Sequence, residues 1–311
     1  MPSGSAPVES PVTDAFYQPP SGFAKKPNGA VLRSRNMTSY SIKGAAAAFQ
    51  ILYKTTNAEG KADATVATLV VPTSPLSPAR LVSVTQPEDA AAPICAPSYQ
   101  IAKNKGAGTG LEAYLAAGFY GLVPDHEGSA SAAFVGQTEG PAGLDALRAA
   151  IKFQKLAKDT QIGLTGYSGG AHAAAWAAQL SGSYAPELNI IALAAGGTPV
   201  NPKNLLLNLT KTIYSGLGAV GVVGFSNAYS DLYDYIQQYA TPKGKQLLAK
   251  ARKDVCLVQA VTGYAFLDVL ALINRTMPLE DPIPAKRLAQ NILGYVVSFP
   301  PPFSPTAGHT Y

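Results

Sequence analysis

The chain has 311 residues, 47% of them apolar and 14% charged, so it can bury a substantial core and is not disordered along its length. Its net charge of +5 comes from 24 basic and 19 acidic residues spread through the sequence, which is too small a bias to indicate a nucleic-acid partner. None of its apolar stretches reaches the roughly 18 residues that a membrane span needs.

Apolar periodicity predicts strands first and then alternating helices and strands. Residues 1–30 read as an irregular arm, and the first twenty contain no apolar signal-peptide core. The predicted strands are Ala47 to Tyr53, Thr65 to Val71, Leu81 to Thr85, Gly118 to Val123, Gln161 to Thr165 and Leu188 to Ala194. The predicted helices are Leu111 to Ala117, Leu144 to Leu156 and Ala171 to Leu180. This order favours a mostly parallel sheet wrapped by helices, with functional groups at the carboxyl ends of strands.

The alternation stops past Pro202, which divides the chain into a predicted α/β core over residues 1–200 and a helical cap over 201–292. One cap helix is expected from Asp231 to Tyr239, behind a Ser230 cap. The glycine-rich segment Gly216 to Phe225 fits either a lid face with an acyl-chain slot or a buried core helix. Candidate acyl-contacting residues in it are Leu217, Val220, Val223 and Phe225. Residues 293–311 are expected to be a truncated return to the core or an irregular tail.

The sequence Gly166-Tyr167-Ser168-Gly169-Gly170 joins the predicted strand at 161–165 to the alanine-rich helix that follows. A G-x-S-x-G turn of this kind places a serine on a strained corner that only small neighbours tolerate, with its Oγ projecting from the sheet edge. The free N–H groups of the first helical turn would face a developing oxyanion. We therefore predict that Ser168 is a nucleophile; the alternative is a serine that caps an ordinary helix.

The partners that activate such a serine normally follow it in the order Asp or Glu, then His. His126 precedes Ser168, His172 lies on the next helix, and His309 stands near the end in a Pro/Gly-rich segment. The acidic candidates between Ser168 and His309 all fall in the predicted cap: Asp231, Asp234, Asp254, Asp268 and Asp281. We expect His126 and His172 to be structural hydrogen-bonding residues. We also expect that the chain is truncated before the strands that carry the triad Asp and His.

Two further features leave alternatives open. Cys95 and Cys256 are either buried thiols or one long-range disulfide. A basic cluster in the cap is either a solvated helix face or a surface attracted to anionic lipid; its members are Lys243, Lys245, Lys250, Arg252 and Lys253. Sequons at Asn36, Asn208 and Asn274 favour secretion weakly.

Several ordered blocks resemble the fungal secretory lipase family typified by Candida antarctica lipase A, from about Phe16 to Val297. The nucleophile block continues through Ala171-His172 and is followed by residues 183–190 and by Gly196-Gly197-Thr198-Pro199-Val200. Earlier blocks are Glu88-Asp89, residues 95–99 and Asp125-His126-Glu127-Gly128, and a later one surrounds Cys256 and Phe266-Leu267. The order and number of these blocks make the resemblance specific.

The resemblance implies an α/β-hydrolase fold with an inserted helical lid and hydrolysis of triacylglycerols and related esters in lipid catabolism. It implies Ser168 as nucleophile, the backbone N–H groups of Asp89 and Gly169 as the oxyanion hole, and a Cys95–Cys256 disulfide. It also implies secretion, a lipid or ester substrate at an oil–water interface, and neither a metal nor an organic cofactor. The second hypothesis is a non-catalytic lipid-binding or interaction protein on this fold, and a third is acyl transfer to an alcohol or amine.

Overall fold

A computed structural model describes residues 8–38, 40–103 and 110–294, and the structural statements below concern this part of the chain. Its sheet has seven strands in the order β1-β2-β3-β5-β4-β6-β7. They are β1 Val31–Asn36, β2 Ala45–Thr56, β3 Ala62–Pro72, β4 Arg80–Thr85, β5 Tyr120–Pro124, β6 Gln161–Tyr167 and β7 Ile190–Gly196. Pairing is antiparallel from β1 through β3 to β5, and parallel from β5 through β4 and β6 to β7.

Ten α-helices lie within the described residues. Four belong to the region that alternates with the strands: α1 Pro97–Ala102, α2 Leu111–Ala116, α3 Gly136–Gln154 and α4 Gly169–Tyr184. Six follow β7: α5 Pro202–Leu209, α6 Ser215–Ala228, α7 Ser230–Tyr239, α8 Pro242–Asp254, α9 Leu257–Gly263 and α10 Pro282–Ala289. The predicted α/β architecture is therefore confirmed, with helices alone described from α5 to α10.

The central strands are apolar because both faces of the sheet are covered. On one face Leu81, Leu122 and Ile162 pack with Leu144 and Leu147 of α3. On the other face a second cluster joins β-strand valines to α1 and α2; it includes Val82, Val84, Val123, Ile101, Leu111 and Leu115. Burial on both sides removes most of this apolar surface from water and fixes the level at which each strand ends.

Helix α3 begins at Gly136, eight residues before the predicted start at Leu144. A Cβ on Gly136 would lie 2.0 Å from the Trp176 ring, and one on Gly140 would lie 2.8 Å from Leu180. Glycine is therefore needed for α3 to pack flush against α4. The glycines give this segment a low helix propensity, so the sequence did not predict the first turns of α3. Close packing against α4 offsets the low propensity, and that packing is a tertiary effect.

Other boundaries also differ from the predictions. Strand β1 lies in a stretch for which no strand was predicted, and it pairs with β2. Helix α7 includes Ser230, and its N-cap is Tyr229, so the predicted Ser230 cap is wrong. Of the predicted tail 293–311, only residues 293 and 294 are described, and the rest, with His309, lies outside the described residues.

The helices after β7 contact the core through α6 and a disulfide. A Cβ on Gly224 of α6 would lie 2.5 Å from the backbone of Ala133, so the helix rests directly on the loop before α3. Cys95 and Cys256 are bonded across 161 residues of sequence, which confirms the disulfide. Such a long closed loop is expected to stabilise the fold by about 5 kcal/mol in the chain-entropy account.

Candidate active site

Ser168 stands at the corner between β6 and α4, with φ 53° and ψ −123°. A non-glycine residue with positive φ is strained and persists only where the surrounding structure holds it. Its amide donates to the Gly196 carbonyl of β7 at 2.9 Å, and its carbonyl accepts from the His172 amide at 3.0 Å. The side chain makes no capping hydrogen bond and is half-buried, so the hydroxyl is available to a reactant.

Two glycines of the motif are required by the end of the neighbouring strand β4. A Cβ on Gly170 would lie 2.1 Å from the Thr85 carbonyl oxygen, and one on Gly166 would lie 2.4 Å from Gly170 itself. The Thr85 hydroxyl lies 2.6 Å from the Gly170 carbonyl and 3.0 Å from the Thr165 carbonyl, and donates to this pair. Thr85 thus holds the corner, a role that the sequence did not indicate because it depends on the pairing of β4 with β6.

The Asp89 and Gly169 amides have the properties that an oxyanion hole needs. Gly169 is the first residue of α4, so its N–H has no acceptor within the helix. Asp89 has φ 43°, and its Oδ1 lies 1.7 Å from where a Cβ on Gly169 would be. Across residues 8–38, 40–103 and 110–294, neither amide donates a hydrogen bond. Two unpaired donors therefore lie next to each other, one on the first residue of α4 directly after Ser168 and one on the turn after β4.

His172 is held in a buried network one turn after Ser168. Its Nδ1 lies 2.6 Å from Glu139 Oε2, and its Nε2 lies 3.0 Å from the Trp176 indole N–H. Because the indole only donates, Nε2 is the acceptor and the Nδ1–H donates to Glu139. Both ring nitrogens are thereby occupied, as expected for a structural histidine.

His126 is also buried, and burial lowers its pKa. Its Nδ1 has no hydrogen-bond partner within the described residues. No side chain in this part of the chain forms a hydrogen bond with Ser168 Oγ. Within the described residues, the Ser168 hydroxyl and the free Asp89 and Gly169 amides therefore have no contacting base beside them.

A cluster of buried acids surrounds the oxyanion turn. Burial raises the pKa of Asp89 to about 7, with the Glu139 charge adding to the effect and His172 opposing it. Burial also raises the pKa of Asp125 to about 7, against hydrogen bonds from the Ser98 hydroxyl and amide. The pKa values of Glu88 and Glu127 are raised well above the ordinary range by burial and by neighbouring carboxylates. The residues beside the oxyanion donors are therefore mostly neutral acids below about pH 7.

Three groups of this cluster are close enough to share one ligand. Donor atoms of Glu88, His126 and Glu127 lie within 4.8 Å of one another, and all three residues are buried. Metal binding requires deprotonated carboxylates, whereas the raised pKa values of both glutamates favour their acid forms. These raised pKa values favour protonated carboxyls over metal ligands, and within the described residues Glu88 Oε2, Glu127 Oε2 and His126 Nδ1 have no hydrogen-bond partner.

An apolar cavity of about 80 Å³ lies among α5, α6, α7 and the segment 269–288. Leu217 and Phe225 line it, whereas Val220 and Val223 are buried in the adjoining hydrophobic cluster. Gly218 and Gly221 leave room along the α6 side of the cavity. The segment Gly216 to Phe225 is thus a buried helix and also a cavity wall, which combines the two alternatives left open by the sequence.

Phe134 links the cavity to the serine corner. It lines the cavity, and its ring centroid lies 6.3 Å from that of His172, whose amide bonds to Ser168. Phe134 has φ 61° and is buried, so the loop before α3 holds it in a strained conformation. Ser168, Gly169 and Asp89 do not line the cavity themselves, so Phe134 and His172 are the contact between the cavity wall and the serine corner.

The acidic residues of the cap have other partners. Asp231 pairs with Arg287, Asp268 with Lys211, and Asp281 with Arg275, each within 3.0 Å. Asp234 and Asp254 are exposed. Within the described part none of the five forms a hydrogen bond with a histidine, so none is placed as a triad acid.

The basic cluster separates into two kinds of residue. Lys243, Lys245, Lys250 and Lys253 are exposed on α8. Arg252 instead donates to Asn227 and Ser226 and lies over the Tyr233 ring at 5.1 Å, so it stabilises the packing of α6 and α7. None of the helices in the described residues combines the length and apolar character needed to cross a bilayer.

The model of the family described as "Secretory lipase" matches residues 107–294. Lipase A of Moesziomyces aphidis is 37% identical over 95% of this chain and 68% of its own length. Secreted triacylglycerol lipase LIP3 of Malassezia restricta is 32% identical over 93% of this chain and 66% of its own. A Mycobacterium tuberculosis protein named "Probable inactive lipase" is 35% identical over 97% of this chain and 71% of its own.

The crystal structure of Candida antarctica lipase A matches with a TM-score of 0.85 and 36% identity, over 92% of this chain and 69% of that one. The chain thus spans about two thirds of the length of the relatives that it matches.

Proposed function

Because this chain belongs to the secretory lipase family, we propose that it is a carboxylic ester hydrolase of the triacylglycerol lipase type that acts through Ser168. The observation that carries the proposal is the strained Ser168 with its free hydroxyl beside two unpaired amides. Secretion is proposed with it, since the relatives include secreted lipases and the Cys95–Cys256 disulfide suits an oxidising compartment.

In the proposed reaction Ser168 Oγ bonds to the ester carbonyl carbon while its proton passes to a solvent water, and the carbonyl oxygen takes the π electrons and becomes an oxyanion; the same water later returns a proton to the leaving alcohol. The Asp89 and Gly169 N–H groups donate to that oxyanion. Collapse breaks the bond to the alcohol, which leaves with a proton, and water then releases the acid and restores Ser168. The neutral form of Asp89 keeps a negative charge away from the oxyanion below about pH 7.

The substrate of this reaction is proposed to be a lipid or related ester at an oil–water interface. The apolar cavity beside α6 supports this class, because its walls are leucine, valine, proline and phenylalanine side chains. Leu217 and Phe225 are proposed to contact the acyl chain, while Val220 and Val223 support the helix from behind. A narrow cavity of about 80 Å³ fits a slender hydrocarbon chain better than a bulky polar group.

The second candidate is a non-catalytic lipid-binding protein. It is favoured by the engagement of both His172 nitrogens and by the absence, within the described residues, of any side chain bonded to Ser168 Oγ. With oxyanion donors but no base, a serine hydrolase keeps a residual acceleration of about 10³–10⁴ over water. The two candidates therefore differ in turnover and share the lipid-binding cavity.

Turnover of p-nitrophenyl butyrate and octanoate by the full chain tests the proposal. We expect hydrolysis well above the residual acceleration of about 10³–10⁴ that oxyanion donors and binding supply, and we expect Ser168→Ala to lower it to that residual, since removal of the nucleophile abolishes the acyl-enzyme route. Ser183→Ala is the matched control, because Ser183 is an exposed serine on the same helix whose Oγ bonds only to Leu180 O, and it should keep full turnover. Turnover that stays at the residual level and is equal in the unsubstituted chain and Ser168→Ala would refute the proposal and favour the lipid-binding candidate.

A further inference from the structure

Five large apolar side chains are exposed after β7, one on α5 and four in the segments between helices, and we name them the cap patch. Its members and their exposed fractions are Leu207 46%, Ile213 47%, Tyr214 49%, Phe266 67% and Met277 61%. Single exposed apolar residues are ordinary on a soluble protein, whereas a contiguous group marks a contact surface.

Backbone hydrogen bonds bring the two segments of the cap patch together. The Lys211 amide donates to Leu267 O at 2.9 Å, and the Phe266 amide donates to Thr212 O at 2.7 Å. Residues 211–214 therefore lie directly beside 266–267. Leu207 and Met277 line one surface groove with Lys211, so the groove continues the same surface.

The backbone holds Phe266 in an unusual conformation. Lys211 has φ 64° and Phe266 has φ 60°, in the left-handed region that bulky side chains avoid. Lys211 and Phe266 lie on the two segments that these backbone hydrogen bonds join, one residue on each segment. Because the Phe266 ring is two-thirds exposed, its burial contributes little free energy that could offset the backbone strain. Strain that packing does not offset is characteristic of residues that contact a ligand or partner.

The cap patch adjoins the proposed acyl cavity. The surface groove and the buried cavity share four lining residues, Leu270, Ile273, Pro278 and Leu279. Only the thickness of these apolar side chains separates the groove from the cavity. A lipid phase resting on the patch would therefore meet the protein beside its hydrocarbon-lined interior.

Charges around the groove are matched in pairs. Lys203 pairs with Glu280 at 2.5 Å, Lys211 with Asp268 at 3.0 Å, and Arg275 with Asp281 at 2.7 Å. Three cations and three anions leave the rim without net charge, so anionic headgroups gain no attraction there. The four exposed lysines of α8 would instead favour an anionic surface, and they are not among the residues that line this groove.

We propose that the cap patch is the surface through which the protein binds a neutral lipid–water interface, with Phe266 and Ile213 inserted among the lipids. The inference deepens the proposed function by assigning its interface, although binding itself does not require Ser168. Apolar side chains that leave water supply the attraction, and the matched ion pairs remain at headgroup level.

Partition into sucrose-loaded phosphatidylcholine vesicles, measured by co-sedimentation of the full-length Ser168→Ala chain, tests this inference. Phe266→Asp and Ile213→Asp should each weaken partition by about tenfold or more. Val258→Asp is the matched control, since Val258 is 69% exposed on α9 but lines a different groove, beside Cys95 and Cys256. Aspartate tolerates a positive φ, and unchanged thermal melts will show that each variant folds.

Three results would overturn the inference. One is equal partition of the Phe266→Asp and Val258→Asp chains. Another is binding confined to phosphatidylglycerol vesicles and lost in Lys243→Glu with Lys250→Glu, which would assign lipid binding to α8. The third is a dimer in solution that Phe266→Asp converts to monomer, which would assign the patch to a second copy. Vesicle binding with no ester turnover by the unsubstituted chain would refute the proposed function and leave this inference standing.

Discussion

The free energy of unfolding should fall as the pH rises from about 4 to about 7. Asp89 and Asp125 have pKa values of about 7 in the folded chain, because burial disfavours their charged forms, against an ordinary aspartate value of about 4. Between those values the folded state keeps protons that the unfolded state has lost, so stability decreases with pH. Each group contributes a loss of roughly 4 kcal/mol over this window, and none below about pH 4.

Other groups change the size of this effect without reversing it. Glu88 and Glu127 also have raised pKa values and act in the same direction. The pKa of His126 is lowered by burial, so below about pH 6.5 the unfolded state binds a proton that the folded state does not bind, which favours unfolding. As the pH rises towards 6.5 the unfolded state loses this proton, and the gain in stability partly offsets the loss from the acids. Asp231, Asp268 and Asp281 have lowered pKa values, so their stabilisation is lost only below about pH 4.

Urea unfolding of the chain at pH 4.5, 6 and 8 measures the trend. Asp89→Asn should flatten the profile, because an amide does not titrate, while Asp159→Asn removes an exposed carboxyl and should leave the profile as it was. A free energy of unfolding that rises steadily from pH 4.5 to 8 would contradict the assignment of buried neutral acids around the oxyanion turn.

Gly170→Ala should lower the free energy of unfolding by about 3 kcal/mol or more and slow modification of Ser168. The new Cβ would lie 2.1 Å from the Thr85 carbonyl oxygen, which is backbone and cannot rotate away. Gly163→Ala is the control on the same strand–corner–helix unit, because its Cβ would meet nothing nearer than Val82 at 3.9 Å. It should change the free energy of unfolding by less than about 1 kcal/mol.

Urea melts and the rate of fluorophosphonate labelling of both variants give the comparison. If Gly170→Ala were as stable and as reactive as Gly163→Ala, β4 would not be pressed against the serine corner as described. A destabilised but equally reactive Gly170→Ala chain would show that Thr85 supports the fold without holding the nucleophile in position.

Local sequence was sufficient to place the serine corner. Strand β6, the turn at Ser168 and helix α4 depend on neighbouring residues, and their apolar and small side chains indicate the geometry directly. The cap helices were predicted as a group for the same reason. The start of α3 was not, because Gly136 and Gly140 make sense only against Trp176 and Leu180 of another helix.

Tertiary effects account for the rest of the site. Thr85 lies 85 residues before Gly170, whose carbonyl it contacts at the corner, and nothing in its own segment indicates that contact. Glu88 and Glu127 look like surface residues in sequence, yet the turns after β4 and β5 bury them together. The resemblance to secretory lipases drew attention to Asp89, whose amide role depends on a positive φ that a sequence does not display.

Peptide mapping of the chain after brief exposure to a fluorophosphonate tests most directly whether Ser168 is a nucleophile prepared by the fold. We expect one adduct, on Ser168, that forms in the native chain and is absent when the chain is first unfolded in urea. An adduct on another residue, or labelling of Ser168 at the same rate in urea, would contradict it.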